Sequence, residues 1–104
     1  MSFKDRVIKQ IKLIPFGKVT TYGTIAALAG SPRAAISVGQ ILHNTVVEQD
    51  LPWHRVINSK GWISTTCLEH PPQLQAQLLR SEGVEVIEKV GNWQIDLAKY
   101  SWPI

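Results

Sequence analysis

The run Leu51–Pro52–Trp53–His54–Arg55–Val56–Ile57–Asn58 carries the parts of a reactive site around a residue that cannot react. His54 offers a base, Arg55 a fixed charge, and Pro52 a constraint on the chain ahead of them. Between them stands Trp53, whose indole neither attacks an electrophile nor accepts a proton at neutral pH. Cys67 is the one cysteine. With His43, His54 and His70 it makes up the soft ligands, but Cys67 and His70 have no second pair at zinc spacing, so no metal is expected. A reactive thiolate at Cys67 would need a positive neighbour or a helix N-terminus, and the helix after Pro71 begins nearby, so mild reactivity stays open. Glu82, Glu85 and Glu88 are spread over a helix end and an expected strand and form no acid–base pair. "GSPRAAISVG" lacks the lysine and spacing of a phosphate loop, and no cofactor is expected.

These residues need elements to hold them. Phe3, Val7, Ile8 and Ile11 recur at helical spacing and predict a helix over 3–14, capped by Ser2 and stopped by Pro15 and Gly17. Lys4, Arg6, Lys9 and Lys12 give it a basic outer side. Thr20 or Thr21 caps a second helix, which ends with Gly30 in the left-handed position. Ser31 then reads as an N-cap and Pro32 as the first residue of a third helix, roughly 32–43. That leaves a connection of a residue or two, which is helix-turn-helix geometry with the second helix free to enter a DNA groove.

Residues 55–64 predict strand, tight turn at Ser59–Gly61, strand. A helix follows Pro71 and Pro72 and ends at Gly83, with Leu74, Leu78 and Leu79 as its apolar stripe. Residues 84–95 alternate like a hairpin that turns near Gly91–Asn92. The expected fold is mostly α, a small α+β unit of helix-turn-helix or winged-helix type with short hairpins, forming a single domain over residues 1–104.

Composition sets the outer bounds. A chain of 104 residues with 44% hydrophobic content fits one globular domain with its own core. A net charge of +3 is compatible with nucleic acid without requiring it. No apolar run approaches the ~20 residues that span a bilayer. Charges scattered through "MSFKDRVIKQIKLI" exclude a signal peptide. A lone cysteine closes no intrachain disulfide. A cytoplasmic protein is expected, bacterial in type and nucleoid-associated when on DNA.

Taken together, "IPFGKVTTYGTIAALAGSPRAAISVGQIL", "LPWHRVINSKGWIS" and "LLRSEGV" resemble the C-terminal DNA-binding and active-site domain of the O6-alkylguanine-DNA alkyltransferases. The likeness covers nearly the whole chain, in order. Those enzymes carry cysteine where this chain has Trp53, which marks the alkyltransferase-like sister family. The resemblance implies that His54 and Glu82 are the remnant of the relay that activates the thiol. It implies a lesion pocket built on Pro52, Trp53, His54, Arg55, Val56 and Asn58, with backbone groups of Trp53 and Val56 reading the guanine edge. It gives Tyr22 the task of pressing on a phosphate to rotate the nucleotide out of the stack. The third helix would lie in the minor groove, where small residues including Gly39 allow close approach. Arg33 and Lys18 would hold phosphates.

The chain departs from the family at two places. Where the family inserts an arginine into the gap left by the flipped base, this chain has Ile36. Ile36 then serves as an apolar wedge, or Arg33 reaches the gap instead, or the helix is rotated and Ile36 is core. Tyr22 likewise has an alternative, as a helix-start aromatic packing inward. After Gly61, "WISTTCLEHPP" replaces a shorter glycine-rich loop, which would open the pocket to larger adducts. The function implied is non-enzymatic: recognition of O6-alkylguanine in duplex DNA, base flipping without alkyl transfer, and flagging for nucleotide excision repair proteins as partners. The alternatives are a methyltransferase relocated onto Cys67 and a sequence-specific helix-turn-helix regulator.

Overall fold

Ser2 opens the first helix as its spacing predicts: its hydroxyl accepts from the Asp5 amide at 3.1 Å. In the computed structural model, which describes residues 1–63 and 71–103, this helix is α1, Phe3–Leu13. It buries Val7 and Ile11. Thr20–Thr21 form a short strand, β1, and Thr21 caps α2, Tyr22–Leu28, by accepting from the Thr24 amide at 3.1 Å. Gly30 has φ +95°. The Ser31 amide donates to Ala26 O at 2.9 Å and the Gly30 amide to Ala27 O at 3.0 Å, the paired bonds of a Schellman close. Arg6 adds a bond from Nε to Ala29 O at 2.7 Å, so it closes α2 rather than only decorating α1.

The third helix, α3, spans Ala35–Gln49, starting three residues later and ending six later than the sequence suggests. Pro32 explains the late start. Its fixed φ suits the second position of a β-turn as well as the first turn of a helix. Here the Ala34 amide donates to Ser31 O at 3.0 Å, closing a turn over 31–34. The connection between α2 and α3 is therefore residues 29–34, not one or two residues, although the two helices still pack closely as a corner.

A 3-10 turn, Trp53–Arg55, leads into β2, Val56–Ile57, which pairs in parallel with β1 (Thr20 with Val56, Thr21 with Ile57). Alternation along β2 sends Val56 into the core between α1, α2 and α3, and Ile57 into a second core beneath the C-terminal half. The turn at 58–61 forms as expected, but the strand beyond it does not pair mainly with β2. Trp62 bridges Gln94, and the Ile63 amide donates to Trp93 O at 2.9 Å.

Helix α4, Pro72–Ser81, buries Gln75, Ala76 and Leu79. Leu79 is buried as the stripe predicts, but Leu74 and Leu78 are only half-buried, and Gln75 and Ala76 complete the inward face. Strands β3, Ile87–Lys89, and β4, Asn92–Gln94, form the expected hairpin, and a short α5, Leu97–Tyr100, follows. The hairpin turns at Val90–Gly91, one residue early, with φ +50° and +77°. Two positive φ values define a type I′ turn, which disfavours a β-branched residue and favours Asn-Gly. Val90 is 92% exposed and packs on nothing that would offset the strain. Val90→Asn is expected to raise stability by about 1 kcal/mol in urea unfolding, without altering the fold.

Candidate functional site

The Trp53–Arg55 turn and the Gly17 loop converge on Glu82 at the end of α4. This residue is the C-cap of α4, where the helix dipole disfavours a carboxylate, so its retention there depends on its partners. Arg55 supplies three contacts: Nε to Oε1 at 2.9 Å, Nε to Oε2 at 3.2 Å and Nη2 to Oε2 at 2.9 Å. His54 Nε2 lies 2.5 Å from Oε2. The Gly17 amide donates to Oε1 at 2.9 Å, from a backbone at φ +79° that follows Pro15 and Phe16. Burial of this side chain (7% exposed) would by itself push its pKa up. The Arg55 guanidinium, the Gly17 amide and His54 outweigh that and hold the carboxyl at about 2. Arg55 also donates from Nη1 to Ile14 O at 2.8 Å and lies over the Phe16 ring at 5.9 Å.

The histidine–carboxylate relay is thus fully assembled, and its other neighbour is Trp53, edge-on to the His54 ring with centroids 6.1 Å apart. Pro52, Trp53, His54 and Arg55 line a cavity of about 550 Å³ with Lys12, Gln49, Asp50 and Leu51. Val56 is buried beneath (1% exposed) and Asn58 lies at the turn. The Asn58 side chain organises that turn, its Oδ1 accepting from the Lys60 amide at 3.0 Å and the Trp62 amide at 2.8 Å.

The other site residues lie along the helix-turn-helix corner. Tyr22 is half-buried against the core of α1, α2 and α3, and burial raises its hydroxyl pKa, so it stays a proton donor. The inward-packing alternative for its ring is therefore met, as the ring partly joins the core. Gly39 turns its bare side toward that ring: a Cβ there would sit 3.8 Å from Tyr22 Cε1. That distance is ordinary van der Waals contact, so the ring does not require glycine at this position, although this face of α3 is turned toward Tyr22. Arg33 is exposed, and Ile36 is 81% exposed at the start of α3, which removes the reading of Ile36 as core. Lys18 is half-buried beside β1. Cys67, His70 and the stretch 64–70 lie outside the described residues. Among the described residues no three His, Cys, Asp or Glu side chains cluster.

Gln75 escapes a reading by hydrophobic pattern. It is 2% exposed, and its Nε2 donates to His54 O and Val56 O, each at 3.0 Å. It lies two helical turns before Glu82 on the same face of α4, but a glutamine in the sequence carries no sign of burial.

A helix-turn-helix corner joined to a Pro–Trp–His–Arg strip over a buried glutamate defines the class. The chain belongs to the 6-O-methylguanine DNA methyltransferase DNA-binding-domain family, whose model matches residues 2–84, and is an alkyltransferase-like member of it. It is 50% identical over 101 residues to the DNA base-flipping protein of Escherichia coli K12, covering 97% of this chain and 74% of that one. It is 41% identical to alkyltransferase-like protein 1 of Schizosaccharomyces pombe, covering 96% and 94%. The crystal structure of S. pombe Atl1 in complex with damaged DNA containing O6-carboxymethylguanine superposes with a TM-score of 0.89 at 40% identity, covering 98% of this chain and 95% of that one. The human methylated-DNA–protein-cysteine methyltransferase matches over 61 residues at 43% identity, 58% of this chain and 30% of that protein.

Proposed function

We propose that this chain reads O6-alkylguanine in duplex DNA by extruding the base, does not repair it, and marks it for nucleotide excision repair. The observation that carries the reading is an intact His54–Glu82 relay set beside an indole where a thiol is required. Dealkylation by this route needs a sulfur that takes the alkyl group, and Trp53 offers none. What remains useful is the pocket, whose flat apolar indole suits a purine or its adduct. The name of the E. coli relative and the lesion bound by the S. pombe relative support the same reading.

In this reading Ile36, exposed at the start of α3, supplies an apolar wedge into the stack. Arg33 and Lys18 supply phosphate contacts, and these make binding fall with salt. The Tyr22 hydroxyl donates to a phosphate. Tyr22→Phe is expected to weaken duplex binding about threefold to tenfold at unchanged thermal stability; unchanged affinity removes that role.

The deciding experiment uses paired duplexes that differ only at one guanine O6. The alkylated duplex is expected to bind about tenfold tighter or better, in any flanking sequence. Mass spectrometry of the protein after incubation is expected to show no added alkyl mass. An alkyl adduct on Cys67 would make the chain a transferase, and binding that follows sequence and ignores the lesion would make it a regulator.

A further inference from the structure

We infer that Gln75 is a positioning residue for recognition, holding the backbone on which Trp53 stands. This rests on the strip around Trp53 being the lesion pocket. The 3-10 turn uses the carbonyls of Pro52 and Trp53 internally: Arg55 N–H donates to Pro52 O at 3.1 Å, and Val56 N–H to Trp53 O. The next carbonyl, His54 O, has left the turn and faces α4, as does Val56 O. Both are met by the one Nε2 of Gln75. A carboxamide nitrogen has two hydrogens in one plane at a fixed angle. Two carbonyls shared by it therefore keep a fixed separation and tilt.

Those carbonyls flank Arg55, whose side chain is itself tied to Glu82 and Ile14 O. Peptide rotation at Arg55 is thereby blocked from both sides. Trp53, at the start of the same 3-10 turn, inherits that orientation. Gln75 and Glu82 lie two helical turns apart on α4, so one helix face holds the strip's carbonyls with the first residue and its side chains with the second. An oxygen-only group in place of Gln75 would face two carbonyl oxygens, and an apolar one would leave both without a donor.

The test compares Gln75→Met, isosteric and without donors, with Gln75→Asn, which keeps the amide but withdraws it by one methylene. Each is measured well below its own melting temperature. The readouts are the affinity ratio between O6-methylguanine and unmodified duplexes, and the indole resonance of Trp53, assigned by its loss in Trp53→Phe. Gln75→Met is expected to lose about tenfold in lesion affinity, to bind unmodified duplex within about twofold of the parent, and to shift or broaden the Trp53 resonance. Gln75→Asn falls between. A parental affinity ratio and an unmoved Trp53 resonance, at any melting temperature, would falsify the inference and leave Gln75 a purely structural residue. If Gln75→Met does not fold, Gln75→Asn decides on the same two readouts. If the parent protein itself shows no preference for the lesion, the lesion-pocket reading falls, and the Trp53 resonance alone judges Gln75.

Discussion

Glu82→Gln is expected to lower stability by roughly 2–4 kcal/mol at neutral pH, because it leaves a half-buried guanidinium with a donor aimed at a donor. A glutamine Oε1 can still accept from the Gly17 amide and Arg55 Nε. Its Nε2 then occupies the place of Oε2, where Arg55 Nη2 and His54 Nε2 converge. A change of tautomer lets His54 adapt. Arg55 has no such option, since its guanidinium is always a donor. Urea unfolding at neutral pH measures the loss; a change under 0.5 kcal/mol, roughly the scatter of surface substitutions, would mean the network is not holding α1, the Trp53 turn and α4 together.

The same residue sets the acid limit. Its carboxyl titrates near 4.5 when unfolded and at about 2 when folded. A folded pKa below the unfolded one gives stability that is complete above 4.5 and drains as pH falls from there through 2. Allowing for solvent screening, the amount is roughly 1–2 kcal/mol. Unfolding free energies across that window should slope downward in the parent and lose this component in Glu82→Gln.

Gly61→Ala is the second large effect, expected at roughly 2–4 kcal/mol. Gly61 sits at φ +81°, and a Cβ there would stand 2.8 Å from Ile95 O and 3.3 Å from Leu97 Cγ. The oxygen belongs to backbone that the turn itself engages, as Ile95 N–H donates to Gly61 O at 2.8 Å, so it has little room to retreat. Gly83 provides the control. Its φ is +84°, but nothing lies within 4 Å of an added Cβ. Gly83→Ala should therefore carry the conformational cost alone, about 1 kcal/mol. Equal losses at the two positions would show that the steric contact contributes nothing.

Local chemistry made most of the elements readable in advance. The caps at Ser2 and Thr21 and the left-handed Gly30 sit where residue type demands, because each satisfies its own neighbours. Pro32 misled because one fixed φ serves two structures, and only the bond from Ala34 to Ser31 O chooses between them. The partner of Trp62 could not be read from its own turn, since a strand finds its ladder at long range, here at Gln94. At the site, the order Pro–Trp–His–Arg and the glutamate after α4 were visible. Gln75 and the Gly17 amide were not. A buried glutamine looks like a surface residue until its two acceptors come into view, and a backbone donor has no letter of its own.

The two-rung parallel pairing of β1 with β2 acts as a caliper. One jaw ends directly at Tyr22, since β1 stops at Thr21; the other begins directly after Arg55. Thr20, Val56 and Ile57 are at most 2% exposed, so the rungs cannot slide without dragging both cores. The gap between the jaws is the strand spacing, about 4.8 Å. The backbone entering Tyr22 and the backbone leaving Arg55 are therefore held at one fixed offset, anchored in both cores at once.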